Sequence, residues 1–140
     1  MTKAVVDTSV IVKWFFKKNE PDVDRALALL KNIEGGKIKI VASPIILLEL
    51  INVVKFGKKA DEKTCAYILS LFQNLIGEFA EFPKINPLVK TCYDGNLTSY
   101  DAIMIALAEE NGIPLITADY KHHQKTISPN IIWLSEWNNS

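Results

Sequence analysis

Four apolar runs in this chain end on, or are broken by, a carboxylate. Asp7 closes Ala4-Val5-Val6, and Glu49 interrupts the stretch from Pro44 to Ile51. Asp101 opens the apolar segment Ala102 to Ala108, and Asp119 follows Leu115-Ile116-Thr117-Ala118. An isolated ionised carboxylate is too costly to hold in a dry interior, so such groups sit at element ends, pair with cations or ligate metals. If the fold gathers these four, they form an oxygen-rich cage for a hard divalent cation such as Mg²⁺ or Mn²⁺. That constellation points to metal-assisted hydrolysis of a phosphodiester.

The pattern around the acids alternates strand and helix. Val5-Val6 reads as a short buried strand and Ser9 to Phe16 as a helix. After the break Asn19-Glu20-Pro21-Asp22, the spacing of Ala26, Leu27, Leu30 and Ile33 predicts a helix from Val23 that stops at Gly35-Gly36. Ile38 to Val41 is the second strand. Ser43-Pro44 reads as N-cap and first helical residue of a helix running to Gly57. Asp61 caps the next helix, which carries Ile68, Leu69, Phe72, Leu75 and Ile76. Phe79 to Phe82 is expected as a short strand, Pro87 to Tyr93 as a helix, and Thr98 or Ser99 as the cap of the Asp101 helix, ending at Asn111-Gly112. Ile113 to Thr117 and Ile131 to Leu134 supply the last strands. Such alternation argues for an α/β fold, a parallel sheet covered by helices on both faces. Ligands of such sheets bind beyond the carboxyl ends of strands, where the strand order reverses. All four acids can reach that end.

Each acid also has a plainer explanation. Asp7-Thr8-Ser9 can cap the first helix. Glu49 shares a three-residue step with Asn52 and Lys55 and can belong to a solvated stripe. Asp101 lies in a first helical turn, where the helix dipole favours an anion. Asp119 can cap a turn. Four acids at successive strand–helix junctions are harder to dismiss than any one.

The 140 residues fit one domain, 1–140, with enough length to bury a core. An apolar content of 49% and a charged content of 23% are those of an ordinary soluble protein. No apolar stretch approaches the roughly 18 residues of a membrane span. The N-terminus lacks the pattern of a signal peptide. Cys65 and Cys92 match no metal-ligand spacing, so free buried thiols and a cytoplasmic location are expected. Lys plus Arg equals Asp plus Glu at 16 each, which argues against binding nucleic acid through bulk charge. A phosphate-binding surface must then be a local patch, with Lys13, Lys17, Lys18, Lys55, Lys58 and Lys59 as candidates, though each alone reads as a solvated surface lysine. Trp14, Phe15 and Phe16 read as core and dimer contact rather than base-stacking groups, and Trp133 as buried. His122 and His123 follow Asp119 on what reads as an exposed turn, where solvated side chains are expected. The run Ile45 to Phe56 is more apolar than a monomer core requires, which suggests a homodimer or peptide interface.

The string Val5-Val6-Asp7-Thr8-Ser9-Val10-Ile11-Val12-Lys13-Trp14-Phe15 resembles the opening of PIN domains, in particular VapC-type toxins of prokaryotic toxin–antitoxin pairs. Ser43-Pro44 with Glu49 is similar to the family's second acidic motif. Leu97-Thr98-Ser99-Tyr100-Asp101-Ala102 is similar to its third, and Pro114 to Asp119 to its fourth. The resemblance covers essentially the whole chain. It implies a three-layer α/β/α fold with a five-stranded parallel sheet of order 3-2-1-4-5. It also implies an endoribonuclease dependent on Mg²⁺ or Mn²⁺, with Asp7, Glu49, Asp101 and Asp119 as catalytic metal ligands. Thr8, Ser9 and Thr117 would then orient carboxylates or waters. RNA as substrate and an antitoxin protein as partner follow from the same resemblance; a homodimer is expected from the surplus of apolar helical surface, and no membrane association is expected.

Two other readings stand beside it: a PIN-like module that binds RNA or protein without cleaving, and a housekeeping RNA-processing nuclease. A phosphoacceptor signalling domain would want paired acids after the first strand, where Thr8 and Ser9 stand here.

Overall fold

Short, β-branched runs bounded by polar or turn residues form the strands, and capped amphipathic stretches form the helices between them. The computed structural model describes residues 2–138. In chain order the elements are β1 (Thr2–Val6), α1 (Thr8–Phe15), α2 (Val23–Glu34), β2 (Ile38–Ala42), α3 (Ile45–Asn52), α4 (Glu62–Leu75), β3 (Ile76–Phe79), α5 (Ile85–Gly95), α6 (Ser99–Asn111), β4 (Leu115–Thr117) and β5 (Ile131–Trp133). Asp61 caps α4 by accepting the Thr64 amide at 2.8 Å. Thr98 caps α6 through the Asp101 amide at 3.3 Å. Gly112 ends α6 at a φ of +65°, which a residue without a Cβ adopts freely.

The strands form one sheet of order β3-β2-β1-β4-β5, every neighbouring pair parallel. Right-handed crossovers then put α1 to α4 on one face and α5 and α6 on the other. The packing agrees: α1 lies against α2 and α3, α3 against α4, and α5 against α6. Helix α6 is buried from Ala102 to Ala108, so it is apolar on every side along that stretch. Ile11, Leu29, Ile40, Phe72, Met104 and Leu107 are fully buried side chains of the core around it.

Several expectations are corrected. The third strand lies at Ile76–Phe79, not Phe79 to Phe82. Ile76 continues the apolar spacing of α4 and so reads as helix, yet its backbone is already extended and starts the pairing with β2. The β2–β3 register shifts between Ile40 and Val41, with Ile40 opposite Ile76 and Val41 opposite Glu78, which leaves Gly77 in a bulge. A Cβ there would lie 2.3 Å from Lys39 Cγ and 3.1 Å from the Ile40 carbonyl oxygen, so the bulge demands glycine. The helix after Pro44 reaches Gly57, but its last turn, Val53–Gly57, winds as a π-helix, closed by the Lys58 amide on the Val53 carbonyl at 2.9 Å. Finally, Lys13 is not a surface lysine. Its side chain is 4% exposed, and Glu20 bridges it, at 3.1 Å, to Lys58, at 2.8 Å. Burial opposes the charge on Glu20, but the hydrogen bonds from Lys58 and Lys13 prevail and hold its pKa below the usual carboxylate value.

Cys65 and Cys92 are free and half-buried rather than buried. Trp14 is buried and donates from Nε1 to the Ala26 carbonyl at 2.8 Å. Trp133 is half-buried. Among the described residues, no helix is long and apolar enough to cross a membrane.

Candidate metal centre

The strand order reverses between β1 and β4, and the acids meet there. Asp7 is the residue after β1, and Asp119 stands two residues beyond β4. Glu49 projects from the middle of α3 and Asp101 from the first turn of α6. All four line one open cleft of about 710 Å³. The solvated-stripe reading of Glu49 thus fails, because its carboxylate faces Asp7 and Asp101.

Hydroxyl groups fix the acids. Ser9 Oγ donates to Asp7 Oδ2 at 2.6 Å, and Thr117 Oγ1 donates to the same oxygen at 3.0 Å. Both hydroxyls are acceptors as well, Ser9 of the Ala118 amide at 2.9 Å and Thr117 of the Asp119 amide at 3.0 Å. These two residues therefore tie the end of β1 to the end of β4. Thr8 donates to Glu49 Oε2 at 3.2 Å. Thr98 donates to Asp101 Oδ2 at 3.2 Å while capping its helix. Asp119 accepts the His122 amide and faces the His122 ring at 2.9 Å. Asp7 stands at the N-cap position of α1, but its side chain makes no cap hydrogen bond. Its hydrogen-bonding capacity goes to Ser9 and Thr117 instead, so helix capping does not explain it.

The electrostatics divide the acids. Burial would raise the Asp7 pKa, but His123, Ser9 and Thr117 outweigh it and hold the carboxyl below its usual value. Glu49 goes the other way, pushed up to about 7 by burial and by the negative charges of Asp7 and Asp101, against the hydrogen bond from Thr8. A carboxyl raised by its burial and by two neighbouring acids marks a site short of positive charge.

Sequence reasoning treats the two histidines alike, and the structure separates them. His122 is exposed, whereas His123 is 1% exposed, with Nε2 3.7 Å from Asp7 Oδ1. At that distance the contact is an electrostatic pairing rather than a hydrogen bond. Among the described residues, the compact set of possible ligands is Asp101, Asp119 and His123, whose donor atoms lie within 4.8 Å of one another. The clue available in the sequence is the spacing: His123 stands four residues after Asp119, one helical turn on, and its amide donates to the Asp119 carbonyl at 3.0 Å. The carboxylate oxygens, the buried nitrogen and the surplus negative charge fit a divalent cation.

A crystal structure of PAE2754 from Pyrobaculum aerophilum is similar in fold, with a TM-score of 0.66 over 96% of this chain and 90% of that one, at 20% sequence identity. Among curated proteins, none matches the sequence significantly. The family model of the PIN domain matches residues 4–127, a span that holds all four acids. PIN domains are generally nucleases and use divalent metals. The chain belongs to the PIN-domain family.

Proposed function

We propose that this chain is a Mg²⁺- or Mn²⁺-dependent endoribonuclease of VapC type, the toxin of a toxin–antitoxin pair. Asp7, Glu49, Asp101 and Asp119 would hold the metal. The observation that carries the nuclease reading is the meeting of these four acids in one open cleft at the strand-order reversal, with Glu49 driven up to about 7. Bound there, a divalent ion supplies an activated water and neutralises charge on the leaving oxygen.

The protein's own residues do the rest. Ser9 and Thr117 keep Asp7 ionised and its orientation fixed. Each commits its hydroxyl proton to Asp7 and so holds that carboxylate in place. Thr98 fixes Asp101. Tyr100, 56% exposed, forms part of the cleft wall with Leu48 and offers a face on which a base can stack. Exposed Lys17, Lys18, Lys55 and Lys59 remain as candidates for backbone phosphates. RNA as the substrate, and the toxin role, rest on the four motifs that resemble VapC-type toxins.

Apolar side chains left in solvent support a homodimer or an antitoxin segment on the α3–α4 side: Ile51 on α3 and Phe56 in the π-turn after it, with Tyr67 and Leu71 on α4. Light scattering at micromolar concentration tests the dimer, and a strictly monomeric mass refutes it. The nuclease reading is tested with Asp7→Asn and Asp101→Asn. Each should abolish divalent-dependent RNA cleavage while the fold, read by circular dichroism, is kept. Undiminished cleavage by either would sink the mechanism. Growth arrest on expressing the wild-type chain, absent with Asp101→Asn, is the outcome for a toxin. Active enzyme without arrest points to housekeeping RNA processing, and metal binding without cleavage to a binding module.

A further inference from the structure

His123 is held at both ends of its backbone. Its amide donates to the Asp119 carbonyl at 3.0 Å, and its carbonyl accepts Trp133 Nε1 from β5 at 2.9 Å. The ring is thereby set in the interior, 1% exposed, with Nε2 towards Asp7 and with Nδ1 lacking any hydrogen-bond partner. A buried ring nitrogen without a partner is unusual and calls for an explanation. The ring also borders the acidic cleft, since one of its nitrogens and one oxygen each of Asp101 and Asp119 lie within 4.8 Å of one another.

We propose that His123 is a metal ligand, joining Asp101 and Asp119 on one divalent ion, and that its nitrogen makes the site select a first-row transition ion such as Mn²⁺ over Mg²⁺. The inference rests on the divalent-ion site of the preceding reading and adds a donor to it. An ion bound at about 2.1 Å holds its ligand atoms about 3 to 4.2 Å apart, so small side-chain adjustments close the observed spread. Mg²⁺ favours an all-oxygen octahedron and gives up water reluctantly. An imidazole donor instead favours transition ions, with affinity rising along the first row. Were His123 only a counter-ion to Asp7, no histidine nitrogen would sit beside the ion.

Pulsed electron paramagnetic resonance of the Mn²⁺-loaded protein reads this without any assay of activity. Wild-type protein should show modulation from a directly bound nitrogen, and ¹⁵N-labelling of histidine alone should convert that pattern from ¹⁴N to ¹⁵N. The pattern should survive His122→Ala and disappear in His123→Gln. In competition titrations, His123→Gln should lower the preference for Mn²⁺ over Mg²⁺ by about tenfold or more. Labelling combined with His122→Ala assigns the nitrogen to His123 by itself, so a poorly folded His123→Gln does not leave the question open. Bound Mn²⁺ with no histidine nitrogen, or a pattern lost in His122→Ala, overturns the inference and spares the metal site. Failure of Mn²⁺ to bind overturns both.

Discussion

Removing the Glu49 charge should stabilise the metal-free protein, and only above the acidic range. In the folded state the Glu49 carboxyl is pushed from 4.5 to about 7 by burial and by the charges of Asp7 and Asp101. Between those two values the folded protein holds a proton that the unfolded chain has lost, so stability falls as pH rises through this window and levels off above it. Each pKa unit corresponds to about 1.4 kcal/mol. Full conversion would give about 3 kcal/mol, and screening by water in an open cleft reduces this to about 1–2 kcal/mol. Glu49→Gln keeps an acceptor for the Thr8 hydroxyl and has no charge to lose. Urea denaturation in EDTA at pH 5 and pH 8 measures the difference. The variant should match wild type at pH 5 and exceed it by about 1–2 kcal/mol at pH 8, near 3–6 °C in Tm. Saturating Mn²⁺ should reverse the order, because wild type then has the extra carboxylate for the cation. The same difference at both pH values, or a less stable variant at pH 8 without metal, would refute the crowded-carboxylate account.

Three further outcomes follow from the packing. Glu20→Gln removes the carboxylate between buried Lys13 and Lys58 and should cost about 2–4 kcal/mol at pH 7 by urea denaturation. Because the Glu20 pKa is lowered, that difference is fully present above the ordinary carboxylate value and should shrink as pH falls through the folded pKa. Gly77→Val drives a side chain into Lys39 and the Ile40 carbonyl at the β3 bulge, and should lower stability by about 1–3 kcal/mol in the same assay. Thr98→Ala removes the cap of α6 and the hydroxyl on Asp101. It should cost about 1 kcal/mol and weaken Mn²⁺ binding in calorimetry.

Local signals carried most of the fold. Asp61 and Thr98 cap the helices assigned to them, Gly35 and Gly112 end the expected helices, and the strand order is that of the resembling family. The misplaced strand shows where such signals run out. Ile76 satisfies a helical spacing and a strand start equally, and only pairing with β2, through a bulge at Gly77, decides between them. Convergence of the four acids on one cleft was readable from topology, because each lies near a strand–helix junction. His123 and Lys13 were not readable. Their environments are set by residues distant in sequence or across a turn: Trp133 and Asp7 for the histidine, Glu20 and Lys58 for the lysine. The π-turn after α3 is equally silent in the sequence, since Val53-Val54-Lys55-Phe56 is compatible with ordinary helix.

The most direct measurement is cleavage of a fluorescently labelled RNA by the purified chain as Mn²⁺ is titrated into protein stripped with EDTA. The account predicts no cleavage in EDTA, a saturable rise with added Mn²⁺, and no rise at any concentration for Asp101→Asn. Full cleavage in excess EDTA, or a rise with Asp101→Asn equal to that of wild type, would contradict it.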